Sequence, residues 1–294
     1  MGNGLKTAIK ELEERVGALV RLRPSHKKVL EFYGIILKEQ LKAQEKIQIQ
    51  TASTTDSATS QGARKLSLLQ GEEPPIDLEA AKRLFQSLCR IAKKENQTLQ
   101  KGIEKIQRAT RGRKIDMDRF LREMMLPDSP YVRELSSLLG LDRDILLFFG
   151  RASIQPYLEK AADLLRDKVD LKEWSEGICP ICGSPPLLSE LAETEGRRLL
   201  ICSLCGYRWH SVRMACPFCG TNDQKAHRYL FVEGDDTVRI DVCDECKKYI
   251  KTLDSRKMGG RIFPLLEYMG TLHLDILAQQ EGYERGSAPF LEIG

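Results

Sequence analysis

The chain has 294 residues, enough for two domains. Hydrophobic residues make up 41% of it and charged residues 30%, which excludes a disordered chain, and no apolar run approaches the ~20 residues a membrane helix needs. The formal charge of +4 is unevenly placed: residues 1–173 hold 32 Lys/Arg against 25 Asp/Glu, and residues 174–294 hold 14 against 17.

The N-terminus, MGNGLKTAIKELEERV, lacks an apolar signal core, and Lys6 stands where a myristoylation signal wants Ser or Thr. The expectation is a cytoplasmic protein whose thiols stay reduced. Leu5, Ile9, Leu12, Val16 and Leu19 recur at three- and four-residue steps, which is one helix face. Pro24 ends that helix, and Ser25 is placed to cap a second, with Val29, Phe32, Ile36 and Leu37 facing inward. Residues 50–75 are rich in Ser, Thr, Gly, Gln and Pro and predict a flexible loop. Asp77 caps a helix carrying Leu84, Phe85, Leu88 and Ile91, and helical patterns resume over 95–109, 115–125 and 129–139. Two apolar helices, 142–150 and 153–171, complete a bundle of six or seven. Cys89 lies within a helix and reads as a buried structural thiol. The basic residues of this half are interleaved with acidic ones, the pattern of a solvated helix surface.

Residues 179–246 hold eight of the nine cysteines, as four Cys-x-x-Cys pairs: Cys179/Cys182, Cys202/Cys205, Cys216/Cys219 and Cys243/Cys246. Two intervening residues aim both sulfurs at one point, and a second such turn completes a tetrahedron around one ion. Soft thiolates in such a cage select zinc or iron. The stretch is also an internal repeat. Each unit opens on Cys-Pro-x-Cys-Gly and closes on another cysteine pair. Between them lie two short apolar-rich runs: Leu187–Leu191 and Arg198–Ile201 in the first unit, Tyr229–Val232 and Val238–Val242 in the second. Each pair of runs flanks a Gly/Asp or Gly/Glu turn and predicts a hairpin. Knuckle, hairpin, knuckle is a rubredoxin-like ribbon. Gly183, Gly206 and Gly220 follow three of the pairs, where the backbone turns sharply; Lys247 breaks the pattern, which predicts a looser fourth knuckle. Pairing within each unit needs no long-range threading and is the expected arrangement; a cross-braced one would join the first pair to the third.

After the ribbons, Leu266, Met269, Leu272, His273, Ile276 and Leu277 share one face of a helix near 262–282. His273 reads as a packed residue, and His210 and His227 take no metal role because the cysteines supply full ligand sets. No arrangement for nucleophilic catalysis, phosphate-binding loop or pair of catalytic carboxylates stands out. The expected architecture is multidomain α plus small β: an N-terminal helical bundle over 1–173 with a loop near 50–75, two tandem rubredoxin-like metal-binding ribbons over 174–255, and a C-terminal helix and tail over 256–294 packing on the ribbons or bundle.

The order WSEGICPICGSPP, RRLLICSLCGYRWHSVRMACPFCG, VRIDVCDECKKYIKTLD, GTLHLDILAQQEGY and SAPFLE closely resembles the formate dehydrogenase accessory protein family, FdhE, across about 145–294. The resemblance implies a non-catalytic, cytoplasmic maturation factor that binds the catalytic subunit of a formate dehydrogenase, with two metal ions, iron or zinc, each held by four cysteines. It implies no nucleic-acid partner and no membrane insertion. Two other classes stay open beside it. One is a nucleic-acid-binding zinc-ribbon protein, against which the net negative charge of 174–294 counts. The other is a rubredoxin-like electron carrier. Trp209 and Arg213 belong to the segment joining the two units, and both are expected near the ribbon–ribbon junction, with Trp209 partly structural.

Overall fold

The computed structural model describes residues 2–48, 68–69, 76–126, 128–168, 174 and 176–287. The chain divides into two compact units: the first takes the described residues up to Ala161 apart from Leu68 and Leu69, and the second takes those two and the described residues from Ala162 on. The loop expected over 50–75 lies outside the described residues except for Leu68 and Leu69, which belong to the second unit.

The first unit is helical: α1 (Asn3–Leu22), α2 (Lys27–Gln44), α3 (Leu78–Glu95), α4 (Gln100–Arg111), α5 (Met117–Arg122), α6 (Pro130–Leu139) and α7 (Arg143–Leu165). Leu5, Leu12 and Leu19 are the buried positions of α1. In α2 the inward face is Leu30, Phe32, Tyr33 and Ile36, turned slightly from the expected one, and Ser25 lies in a short 3-10 turn rather than capping the helix. Asp77 does cap α3, accepting from the Ala80 amide at 2.9 Å. Asp116 and Ser129 do the same for α5 and α6. The core is aromatic. Phe148 and Phe149 of α7 meet edge to face at 5.0 Å; Phe148 contacts Phe32 and Tyr33, and Phe149 contacts Phe85. Cys89 is buried among these helices, and burial pushes its thiol up.

Two helices were expected over 142–171, and one continuous helix, α7, stands there with Pro156 inside it. A proline has no N–H, so the carbonyl of Ala152, four residues earlier, loses its helical donor. The buried Gln40 of α2 supplies one, donating from Nε2 to Ala152 O at 2.8 Å. A tertiary contact has replaced the missing backbone bond and kept the helix whole.

The second unit is built on one sheet of β1 (Pro186–Ala192), β2 (Arg197–Cys202), β3 (Arg208–His210), β4 (His227–Leu230), β5 (Val238–Cys243), β6 (Lys248–Asp254) and β7 (Glu284–Arg285). The expected hairpins are β1–β2 and β4–β5. Each gains a third strand, β3 or β6, to form an antiparallel meander. The two meanders then join edge to edge through a parallel pair, with Ser189 opposite Thr252 and Glu190 opposite Leu253, giving the order β3-β2-β1-β6-β5-β4. β7 pairs with the start of β6. The C-terminal helix carries a break at Thr271: α8 (Pro264–Gly270) packs on β1 and α9 (Leu272–Gln280) on β5. Among the described residues no helix is long and apolar enough to cross a membrane.

Candidate metal centres

The knuckles repeat to the level of individual hydrogen bonds. Gly183 N donates to Cys179 O at 2.9 Å and Cys179 N to Ser184 O at 2.9 Å; in the second unit Gly220 N donates to Cys216 O at 3.0 Å and Cys216 N to Thr221 O at 2.9 Å. Gly183, Gly206 and Gly220 take φ of 77°, 66° and 77°, the left-handed region that glycine enters freely. Lys247 takes φ 57° at the fourth knuckle. That turn is therefore not looser. It matches the other three at a steric cost of about 1–2 kcal/mol, and β7 holds it, with Glu284 N donating to Lys247 O at 2.8 Å.

The structure brings together Cys179, Cys182, Cys202 and Cys205 in one cluster and Cys216, Cys219, Cys243 and Cys246 in another, the sulfurs of each within 4.8 Å of one another. Pairing is thus within each repeat. A tetrahedron with metal–sulfur bonds of about 2.3 Å has edges of about 3.8 Å. The measured edges are 3.6 Å for Cys179–Cys205, 3.4 Å for Cys182–Cys202, 3.7 Å for Cys216–Cys246 and 3.8 Å for Cys219–Cys243. All eight thiols are free. The backbone supplies amides to sulfur: Leu204 N and Cys205 N each lie 3.4 Å from Cys202 Sγ, and Phe218 N lies 3.4 Å from Cys216 Sγ. Such donors stabilise thiolates. Each cluster could hold one metal ion, and four sulfurs would fill a tetrahedral shell.

The two clusters differ in exposure. All four cysteines of the first are buried, and the amides of Leu68 and Leu69 cover its knuckle by donating to Pro180 O and Ile181 O at 3.0 and 2.8 Å. In the second, Cys219 is exposed and Cys246 half-buried. Within the first, hydrogen bonds from Cys179, Cys202 and Cys205 hold the Cys182 thiol well below its ordinary value, while burial pushes Cys202 and Cys205 well above theirs. The two centres are brought close by Gly177: a Cβ there would fall 1.7 Å from the carbonyl oxygen of Pro217, in the third knuckle.

The histidines stand outside both clusters. His210 is exposed on β3, and His227 Nε2 lies 3.2 Å from Thr221 O. Trp209 is fully buried and donates from Nε1 to Glu176 O at 3.3 Å. It sits on β3, at one end of the strand order and two strands from the β1–β6 seam, and its burial fits the structural part expected of it. Arg213 is exposed beside the second cluster.

Two charged groups escaped the sequence reading. Arg198 is buried on β2; its Nε donates to Ser189 Oγ at 3.0 Å and its Nη1 to Ala215 O at 2.7 Å, tying the linker between the repeats to the sheet. Its Nη2 stands 3.8 Å from Asp241 Oδ2 on β5. Burial lowers its pKa. Strand alternation carried the signal, since Arg198 shares its parity with the inward Leu200. The second is Lys251, in the middle of β6. Its Nζ reaches Asp275 Oδ2 of α9 at 2.8 Å, the carbonyls of Tyr268 and Thr271 at 3.0 and 3.4 Å, and the face of the Tyr268 ring at 3.4 Å from the centroid. The ammonium thus adds a donor to carbonyls at the break, where Thr271 N and Oγ1 already donate to Tyr268 O at 3.2 and 3.0 Å and Leu274 N to Thr271 O at 3.0 Å.

Residues 178–213 match the family described as FdhE, central domain, and residues 214–291 match FdhE, C-terminal domain. The chain is 35% identical over 162 residues to a protein FdhE homolog of Aquifex aeolicus, covering 53% of this chain and 56% of that one. It is 33% identical over 147 residues to the protein FdhE of Escherichia coli K12, covering 49% and 47%. The chain thus spans about half the length of the curated relatives it matches. The crystal structure of the FdhE protein from Pseudomonas aeruginosa has the same fold, with a TM-score of 0.71 at 21% identity over 96% of this chain and 95% of that one. Both cysteine clusters fall inside the matched domains, so the similarity to FdhE proteins covers residues 178–291 and with them all eight clustered cysteines.

Proposed function

We propose that the protein is a cytoplasmic accessory factor that binds the catalytic subunit of a formate dehydrogenase and assists its assembly or activation, without turnover of its own. Each four-cysteine cluster holds one iron or zinc ion, as a scaffold or a redox-sensitive element. One observation carries the reading: the FdhE central and C-terminal domains match residues 178–291, the stretch that contains all eight clustered cysteines. Four sulfurs leave a tetrahedral ion no open position for a water or substrate, which argues for structure or electron transfer over hydrolysis. What remains for function is surface. Val212, Met214, Tyr229 and Phe231 are exposed apolar side chains on the ribbons, and such residues beside arginines suit a protein interface. The reading includes no nucleic-acid partner, in keeping with the net negative charge of residues 174–294.

Deletion of the gene tests it. The formate dehydrogenase polypeptide is expected to be present but inactive, and the catalytic subunit to be captured by the tagged accessory protein. Normal formate dehydrogenase activity in a deletion strain without a related gene would sink the assignment. Recovery of salt-sensitive duplex DNA or RNA in place of the enzyme would move it to the nucleic-acid class.

A further inference from the structure

Beside the second cysteine cluster, and lined by Cys216 and Cys243, lies a cavity of about 80 Å³. At about 15 Å³ per water-sized site, that is room for roughly five waters. A carboxylate fits. Five cations line it: Arg198, Arg213, Arg228, Arg239 and Lys248. Asp241, the one acid in the lining, pairs with Arg239 at 2.7 Å, and Asp244 outside it is shared by Arg228 at 2.8 Å and Lys247 at 2.9 Å. Four thiolates around a divalent ion carry a net charge of −2. Set against these four negative charges, the five lining cations and Lys247 leave a positive excess of two. Its carriers are identifiable: among the described residues neither Arg213 nor Lys248 has a carboxylate within ion-pair distance.

The rim adds a second observation. Met214, Tyr229 and Phe231 are exposed there, with the two rings 6.1 Å apart and the Arg239 guanidinium 5.1 Å from the Tyr229 centroid. Aromatic, Met and Arg side chains together are the composition of a protein interface, not of a site for a free ion. β4, which carries Tyr229, ends the sheet; among the described residues its only partner strand is β5. An extended segment can lie along such an edge.

We propose that this cleft takes one carboxylate side chain from an extended segment of a partner polypeptide, clamped between Arg213 and Lys248 and flanked by Tyr229 and Phe231. The assignment rests on the reading above, in which the partner is a protein client. The probes are the blocked peptide acetyl-Thr-Val-Glu-Val-Thr-amide and its Gln counterpart, titrated into the full metal-loaded chain and followed by amide NMR shifts. A charge-assisted contact makes the Glu peptide about tenfold tighter than the Gln peptide or better, with shifts at Phe218 and Tyr229. In the Arg213→Gln/Lys248→Gln double variant the two peptides bind alike while metal analysis still finds both ions. Equal binding of the two peptides to wild type overturns the proposal, as does inorganic phosphate binding more tightly than the Glu peptide. Capture of the formate dehydrogenase catalytic subunit separates the two levels of the argument. Failure of wild type to capture it removes the client reading; undiminished capture by the double variant removes only the cleft's part in it.

Discussion

Lys251 and Asp275 offer the sharpest test of what holds the ribbon unit together. Their side chains are 0% and 3% exposed and meet at 2.8 Å. At an effective dielectric constant of about 20, the attraction at that distance is about 6 kcal/mol, opposed by the desolvation of both charges. The pair's net worth is small; the cost of halving it is large. Lys251→Met strands the Asp275 carboxylate with Tyr249 OH at 2.8 Å and Arg285 Nε at 3.6 Å as its remaining partners, and removes one donor each from the Tyr268 and Thr271 carbonyls. Asp275→Leu strands a buried ammonium. Each single variant is expected to lose about 3–5 kcal/mol. The Lys251→Met/Asp275→Leu double variant buries no orphaned charge and is expected to be more stable than either. Both tryptophans, Trp174 and Trp209, belong to the second unit, so urea denaturation followed by tryptophan fluorescence reads that unit alone. Additive losses, or single variants costing under about 1 kcal/mol, would refute the account and make the network a solvated one.

In the helical unit, Gln40→Leu leaves Ala152 O buried without a donor and is expected to cost about 1–3 kcal/mol in a circular-dichroism melt; an unchanged melt would mean that Pro156 needs no such compensation. The two ions are expected to leave at different rates under a chelator, the second cluster first, because Cys219 is exposed while the first cluster is wholly buried; single-exponential loss of both would contradict this. Cys179→Ser and Cys243→Ser are each expected to lose one ion and unfold their own ribbon, since structural sites of this kind contribute on the order of 10 kcal/mol to folding, while far-ultraviolet ellipticity of the helical unit persists. Burial raises the Cys202 and Cys205 thiols in the metal-free form, so metal uptake at neutral pH displaces protons and affinity falls as pH falls; metal addition in weak buffer should acidify the solution.

The cysteine spacing made both clusters legible, because a metal knuckle depends on local turns that residues within four positions of one another determine. The hairpins were legible for the same reason. What stayed hidden was long-range. The pattern of β6, Lys248–Asp254, reads as a run of mixed polarity, and only its place between β1 and β5 shows why Lys251 can be inside. The continuity of α7 depends on Gln40, more than a hundred positions from Ala152, which no window over 142–171 contains. The ammonium that reaches the carbonyls at the Thr271 break likewise comes from another element. Arg213 was found from the motif, but its surroundings are set by residues of β4, β5 and β6.

The parallel seam between β1 and β6 has a consequence for the chain as it is made. β1 and the whole first cluster, complete at Cys205, leave the ribosome well before Lys248–Asp254. During that interval the first ribbon can take its ion while one edge of β1 has no neighbour. Synthesis of the second ribbon covers that edge. A nascent chain from which Cys205 has emerged and Lys248–Asp254 has not therefore presents a complete first cysteine cluster beside a bare strand, the kind of edge that aggregates with its own copies or recruits chaperones.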